Sequence, residues 1–248
     1  MTVTTAYNYP RFSYALGEAD LDDWLERGPH PGDPAPDFRL EDLDGNRLRL
    51  SALRGSPVVL EFGSYTCPIF SDRAPDMERL ASQHPEAEFL VIVVREAHPG
   101  EITGAHTSER QKRQAARRLA VEEAIRRRVL IDDLEGTVHR AYGGAWNPVY
   151  VLDAAGRIAF RRAWNHPAQV ARALTALIEG RPLPRENESV EMAQLPGRAA
   201  IGLHLLERGG RSALLDFYRS APAPLQARLR ESTSGAVRSA IEQEENRS

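Results

Sequence analysis

The sequence predicts an α/β fold: a mixed β-sheet with flanking helices, an N-terminal hairpin and a C-terminal helical extension. Two observations carry this prediction. Short apolar runs rich in valine, isoleucine and leucine are typical of strands that are buried on both faces of a sheet. The longer stretches between them repeat apolar residues at helical spacing. Strands that alternate with helices build a sheet covered by helices.

The first elements precede the central strands. Residues 1–30 are interpreted as an N-terminal extension with one short acidic helix at 21–26. A Pro-rich entry follows, and then a strand, a turn at "DLDGN", a second strand and a helical turn at "LSALRG". This order predicts a hairpin ahead of the main sheet.

The central elements begin with the strand "PVVLEF" and a helix over 69–84, which Pro75 is expected to kink or interrupt. The run "EFLVIVVRE" (88–96) predicts a second buried strand, and the amphipathic stretch 108–127 predicts a long helix. "RVLIDD" predicts a third strand.

The last part of the sheet is a predicted hairpin with strands at "VYVLD" and "RIAFRR" and a turn at 154–156. A helix that ends at Gly180 follows. This order of strands and helices matches the thioredoxin fold. We therefore expect three units: an N-terminal extension (1–30), a thioredoxin-like domain (31–182) and a helical C-terminal extension (183–248). The Pro- and charge-rich segment "RPLPRENES" is the predicted linker to two or three short helices.

Composition excludes several classes of protein. The formal net charge of −3 gives no reason to expect nucleic acid or an acidic membrane surface as a partner. The basic run "RQKRQAARRLAVEEAIRRR" has helical spacing and is interpreted as a solvated helix face. The sequence lacks a signal-peptide pattern and an apolar run of about 18 residues. A single cysteine excludes an intrachain disulfide framework and cysteine-based zinc sites, so we expect no metal and a cytoplasmic location.

The single cysteine, Cys67, lies in the stretch "VVLEFGSYTCPIFSDRAP" (58–75), in the turn between a predicted strand and a helix. Ligand and catalytic groups gather at such turns. Free N–H groups at the start of the helix favour a thiolate and lower its pKa. The sequence therefore predicts a reactive thiol with a depressed pKa. The alternative is a small buried apolar residue.

Two cysteine-dependent patterns are not met. Phe70 occupies the position of the second cysteine of a dithiol pair, and Thr66 adjoins Cys67 where a peroxiredoxin pattern needs more separation. No dithiol cycle can therefore run within one chain.

Four ordered segments resemble the iodothyronine deiodinase family. The segment "FGSYTCPIF" (62–70) is similar to the family's F-G-S-C-T-U-P-P-F, where U is selenocysteine. "EAHP" (96–99) is similar to a second signature, and His106 with two alanines at 115–116 to a third. "YGGAW" (142–146) is similar to the family's Y-G-A-W. The resemblance covers roughly residues 34–178 and implies a deiodinase-type domain.

The resemblance implies that Cys67 replaces selenocysteine as the nucleophile that attacks a halogen, a peroxide or a disulfide. It also implies positions for proton relay and substrate binding. We expect a catalytic set and a substrate-binding set, which are Cys67, His98, Glu96 and Thr66 for the first and His106, Ser64, Tyr65 and Pro148 for the second.

The histidines of these segments have a chemical reason to take part, because histidine is poised to donate protons near neutral pH. Glu96 lies two residues before His98, so in a regular strand the two share a face, and the carboxylate can hold the imidazole in its protonated form. The alternatives are a turn residue before Pro99 for His98 and a helix-start residue for His106. The remaining histidines have no motif and are expected at the surface: His30, His84, His139, His166 and His204.

Two positions need separate mention. Pro148 precedes a strand at the point where thioredoxin folds place a cis-proline, and a trans bond is the alternative because X-Pro bonds are mostly trans. Tyr65 stands where the family has a cysteine, so an internal relay between two sulfurs is not available.

We expect a thiol-dependent, single-cysteine oxidoreductase that dehalogenates an aromatic or related small molecule. It would have no bound cofactor, and an external thiol such as thioredoxin or glutathione would be its reductant. Two alternatives remain: a one-cysteine peroxide or disulfide reductase, and a non-catalytic binding module with residues 185–248 as a partner surface. The appended helices also leave a homodimer possible.

Overall fold

A computed structural model of the chain describes residues 7–184 and 198–247. Most of the predicted linker "RPLPRENES" lies outside the described residues. The strands of the described part form one sheet: β1 (Arg39–Asp42), β2 (Arg47–Arg49), β3 (Val58–Gly63), β4 (Glu88–Val93), β5 (Arg128–Ile131), β6 (Val149–Leu152) and β7 (Ile158–Arg162).

The sheet is mixed, with the strand order β2-β1-β5-β4-β3-β6-β7. Its centre, β3, β4 and β5, is parallel. β1 and β2 form the predicted N-terminal hairpin, which joins β5 antiparallel, and the hairpin of β6 and β7 joins β3 antiparallel. Because β3 and β4 are parallel and in register up to Gly63 and Val93, the segments that follow them leave the sheet side by side.

Helices cover both faces of the sheet. Those of the first part of the chain are α1 (Tyr14–Arg27), α2 (Pro68–Gln83), α3 (Glu109–Glu122), α4 (Thr137–Ala141) and α5 (Pro167–Ile178). In the tail lie α6 (Arg198–His204), which continues into a π-helical turn (Leu205–Gly209), α7 (Arg211–Ser220), α8 (Ala223–Arg230) and α9 (Gly235–Glu245). Within the described ranges, no helix combines the length and the apolar character that crossing a membrane requires.

Side chains that point alternately to the two faces of the sheet divide the apolar core into two layers. Even-numbered strand residues such as Leu60 and Ile92 pack with Trp24 of α1 and with Tyr142, the residue that follows α4. Odd-numbered residues face α2, α3 and α5, with Val91 packed against α2 and α3 and other residues against α2 and α5. Because side chains on a strand point alternately to the two faces, the near-continuous apolar runs of the sequence serve both layers.

Several boundaries differ from the prediction. α1 begins at Tyr14 because the Ser13 hydroxyl caps it by accepting from Leu16 N. β4 ends at Val93, before Glu96, at the level where its neighbours β3 and β5 also end, at Gly63 and Ile131. The short helix α4 and the full number of tail helices were not predicted.

Pro75 was expected to kink or interrupt α2; the helix is not interrupted, because it continues through Pro75 to Gln83. Proline removes one backbone hydrogen bond from a helix interior. Here the helix remains continuous, and Ala74 and Met77 on either side of the proline are fully buried in the core. Packing of the apolar face of α2 against the sheet outweighs the loss of one backbone hydrogen bond at Pro75.

The tail packs against the start of the chain. Tyr9, Phe12 and Tyr14 share an apolar cluster with Phe217 and other buried residues of α6, α7, α8 and α9. Glu101, from the loop after β4, accepts a hydrogen bond at 2.8 Å from Ser212 N at the start of α7. The tail is therefore attached both to the N-terminal segment and to the edge of the sheet where β4 ends.

We predict that a chain ending at Pro184 keeps a folded sheet, because the clusters that cover the sheet use no residue beyond Leu177. The same truncation exposes Phe12 and Tyr14. Far-UV circular dichroism and thermal unfolding should show a cooperative transition, and binding of an apolar dye should increase relative to the full chain. An aggregated product or one without a cooperative transition would show that the tail is part of the folding unit.

Candidate active site

Cys67 lies where β3 gives way to α2, at the carboxyl edge of the parallel strands. It is the N-cap residue of α2, and Pro68 follows at the first helical position, where its fixed φ favours a helix start. Gly63 ends the strand, and a Cβ there would lie 2.1 Å from Cδ2 of Phe70. The glycine thus allows the helix to pack closely on the strand that carries Cys67.

A buried carboxylate organises the segments around Cys67. Glu96 Oε2 accepts hydrogen bonds from Thr66 N at 2.8 Å and from Thr66 Oγ1 at 2.6 Å. The other oxygen, Oε1, lies 3.2 Å from His106 Nε2, at ion-pair distance but not aligned as a straight hydrogen bond. Burial alone would raise the pKa of Glu96, but His106 and the Thr66 donors outweigh it and lower that pKa.

Two hydroxyl groups connect the ends of β3 and β4. Ser64 Oγ accepts from Ala97 N at 3.0 Å, and Thr66 Oγ1 accepts from His98 N at 3.0 Å. All of these side chains are almost completely buried. The predicted residues Ser64, Thr66, Glu96 and His106 therefore form one network behind Cys67.

His98 does not pair with Glu96, contrary to the expectation from their spacing. The strand has ended before both residues, so they do not share a face, and Glu96 faces His106 instead. The His98 ring packs 4.4 Å from the Phe12 ring centroid and 5.3 Å from that of Phe217. Burial, aided by the nearby His204, lowers the pKa of His98 to about 3, so its imidazole is neutral at physiological pH.

The pKa of the Cys67 thiol also differs from the prediction. Only 2% of the residue is exposed, and this burial raises the pKa of Cys67 to about 12. The N–H groups of Ile69 and Phe70 lower the pKa, as expected at a helix start, but the carboxylates of Glu96 and Glu61 raise it further. The expected depression of the pKa was wrong because desolvation exceeds the effect of the helix terminus.

The Tyr65 side chain contacts both α3 and the tail. The guanidinium groups of Arg118 and Arg208 lie 4.2 and 4.5 Å from its ring centroid. The hydroxyl donates to the carboxylate of Glu122, and Arg208 Nη1 donates to the Tyr65 carbonyl at 3.0 Å. Tyr65 thus attaches the tail to the segment that carries Cys67.

Pro148 is preceded by a trans peptide bond, because the described residues contain no cis bond. The expected cis form was wrong. The Pro148 carbonyl accepts from Phe62 N at 3.0 Å, and the Asn147 side chain donates to the Phe62 carbonyl at 2.6 Å. These bonds continue the pairing of β3 with β6, so the Pro148 carbonyl is already used within the protein.

Cys67 and His98 line an apolar cavity of about 280 Å³. Aromatic side chains form much of its wall: Tyr14, Trp146, Trp164 and Phe217. Other predicted residues, including Tyr65 and Pro148, are not part of the lining. The site therefore has two parts, which are the apolar cavity in front of the sulfur and the polar network behind it.

Sequence reasoning missed the tail's contribution, the buried His139 and the half-buried His204. His139 was expected at the surface but is buried, with Nδ1 2.9 Å from the Tyr7 hydroxyl. His204 of α6 was also expected there, but it lies close enough to lower the pKa of His98. Besides the segments of Cys67 and His98, "YGGAW" indicated part of the cavity wall, since it contains Trp146. Nothing in the tail's sequence indicated that it covers the site.

Solved structures share this fold. A candidate protein disulfide isomerase from Bacteroides thetaiotaomicron aligns with 61% of this chain and 91% of its own, at 18% identity and a TM-score of 0.50. An uncharacterized conserved protein from Geobacillus kaustophilus aligns with 63% and 86%, at 23% identity and a TM-score of 0.52. The predicted thioredoxin-like α/β fold is confirmed.

Curated relatives match about half of the chain. Thyroxine 5-deiodinase from Gallus gallus is 34% identical over 135 residues, which are 50% of this chain and 52% of the relative. The enzyme of that name from Sus scrofa is 30% identical over 137 residues, 50% of this chain and 45% of the relative. The chain spans about half the length of these relatives.

A family model described as iodothyronine deiodinase matches residues 15–173. This match begins earlier than the resemblance read from the motifs and includes α1. It contains Cys67, the Glu96 network and Trp146, and it ends before the tail. Since it covers well over half of the chain, the protein belongs to the iodothyronine deiodinase family.

Proposed function

We propose that the protein is a thiol-dependent oxidoreductase that reductively dehalogenates an aromatic or related small molecule, with Cys67 as the halogen acceptor. The observation that carries this proposal is the position of Cys67. It opens into an apolar cavity with aromatic walls and is backed by a buried network of Thr66, Glu96 and His106. Family membership and the names of the relatives support the same chemistry.

The reaction balances with one cysteine and two external thiols. Cys67 sulfur takes the halogen from carbon, the carbon receives a proton, and a sulfenyl halide forms on the enzyme. A first external thiol displaces halide and leaves a mixed disulfide. A second thiol releases Cys67 and forms an external disulfide. The substrate is reduced by two electrons, and two thiols are oxidised.

The protonated state of Cys67 fits this sequence of steps. A neutral thiol carries both the sulfur that accepts the halogen and the proton that the ring carbon needs. Thr66 adjoins Cys67 in the chain, and its hydroxyl donates a hydrogen bond to Glu96 Oε2. Glu96 Oε1 lies 3.2 Å from His106 Nε2. We assign these three residues to moving the thiol proton while the sulfur reacts.

His98 has a different proposed role. Its imidazole is neutral, packs against aromatic rings and lines the cavity. Nδ1 is buried without a hydrogen-bond partner among the described residues. A neutral imidazole in this place can bind and orient a substrate, whereas it is a poor proton donor at pH 7 because its pKa is about 3.

The proposal is tested by measuring iodide release from an iodinated phenol in parallel with peroxide consumption, both with dithiothreitol. We expect iodide release by the wild type and none above background by Cys67→Ser, whose thermal unfolding should remain cooperative. Peroxide consumption without iodide release would instead support the peroxide-reductase alternative. Activity in neither assay would favour a binding module.

A second prediction concerns the pH dependence of Cys67 alkylation by iodoacetamide. Because the pKa of Cys67 is raised to about 12, the thiolate fraction increases throughout the usable range. The rate should rise about tenfold per pH unit from pH 7 to 10 without a plateau. N-acetylcysteine, as a free thiol, should level off above about pH 8.5. A plateau for the protein below pH 9 would contradict the raised pKa.

A third prediction distinguishes the roles of His98 and His106. His106→Gln should lower kcat about 10²-fold, the usual scale for losing a proton-transfer group. His98→Gln should mainly raise KM, because its neutral ring binds and does not transfer a proton. His84→Gln, at the end of α2 away from the cavity, is the matched control. If His98→Gln lowered kcat more than His106→Gln, the proposed roles would have to be exchanged.

A further inference from the structure

The tail forms the outer wall of the cavity in front of Cys67. Its contribution consists of Ile201, Phe217, Pro222, Pro224, Leu225 and Arg228. The segment that matches the family ends at residue 173, so this wall is built by a part of the chain that the family match does not include. What the cavity accepts is therefore decided in part by the tail.

Arg228 is the charged member of this wall. It lies on α8, is exposed, and has no ion pair or hydrogen bond among the residues that the structure describes. Other arginines of the tail are paired: Arg208 with Glu123, Arg219 with Glu244 and Arg230 with Glu245. The positive charge of Arg228 is thus left available at the mouth of an apolar cavity.

The rest of the lining does not compensate this charge. The described residues that line the cavity include no carboxylate, and His98 is neutral. Arginine binds carboxylate and phosphate groups through a planar fork of donors. A ligand that fills the cavity with an apolar ring and carries an anionic group at its outer end would satisfy both features.

We infer that Arg228 is a specificity-determining residue and that the site selects compact aromatic anions over neutral compounds of the same shape. The volume of about 280 Å³ lies at the lower end of small-molecule sites, which are about 300–1,000 Å³. The inference rests on the proposed function only for the reaction at Cys67. Selection of an anion is a property of binding and can be measured without turnover.

The test uses 4-iodobenzoate and its neutral counterpart 4-iodobenzamide as probes. Trp146 and Trp164 line the cavity, so quenching of tryptophan fluorescence by the iodinated ring reports binding. We expect the wild type to bind 4-iodobenzoate about fivefold more tightly, the upper range for a solvent-exposed ion pair. The preference should decrease as salt is raised.

Three variants assign the preference to one residue. Arg228→Gln should bind both probes equally, and Arg228→Lys should keep part of the preference because the charge remains. Arg110→Gln removes an exposed charge from α3, outside the cavity lining, and should behave as the wild type.

Three results would overturn the inference: equal binding of the two probes by the wild type, a preference that survives in Arg228→Gln, or no binding of either probe. Failure of the proposed function looks different. In that case the charge preference would be present and lost in Arg228→Gln, while iodide release from 4-iodobenzoate with dithiothreitol would be absent.

Discussion

The site depends on one buried carboxylate. Glu96 is 2% exposed, and a buried charge is tolerated only when it is paired and hydrogen-bonded. Its two oxygens hold Thr66 and His106, so the turn before α2, the segment after β4 and the loop before α3 meet at one point. Because the turn after β3 and the connection from β4 to α3 leave the sheet at the same edge, fixing this carboxylate fixes the surroundings of Cys67.

Burial beside an apolar cavity gives Cys67 two properties, access to an apolar binding space and a raised pKa. The same aromatic and aliphatic side chains that create an apolar cavity remove water from the sulfur, and the loss of water disfavours the thiolate. A helix N-terminus offers a few donors but does not restore full solvation. In the proposed reaction the chemistry would therefore start from a neutral thiol, and the adjoining polar network would be the route for its proton.

The local sequence pattern was sufficient to predict the strands of the sheet and the segments that lie next to Cys67. The apolar runs identified β3 and β4, and their parallel order predicted that Cys67, Glu96 and His98 would meet at one edge. The pairing of Glu96 with His106 was not predictable from spacing, because it depends on where β4 ends. The raised pKa of Cys67 depends on its burial in the tertiary structure, and the place of Arg228 depends on how the tail packs. Residues far apart in the chain carry no local signal for either.

The contacts of two arginines with the Tyr65 ring have a consequence for how electrons would be delivered to Cys67. Arg208 binds the Tyr65 ring and carbonyl and pairs with Glu123, so the tail is attached to the residue two before the reacting cysteine. In the reaction proposed above, a reductant would have to reach that sulfur. We would then expect a small thiol to enter the cavity with the tail in place, whereas a folded protein donor would need the tail to separate from Tyr65. The strength of this attachment would therefore favour one kind of electron donor over the other.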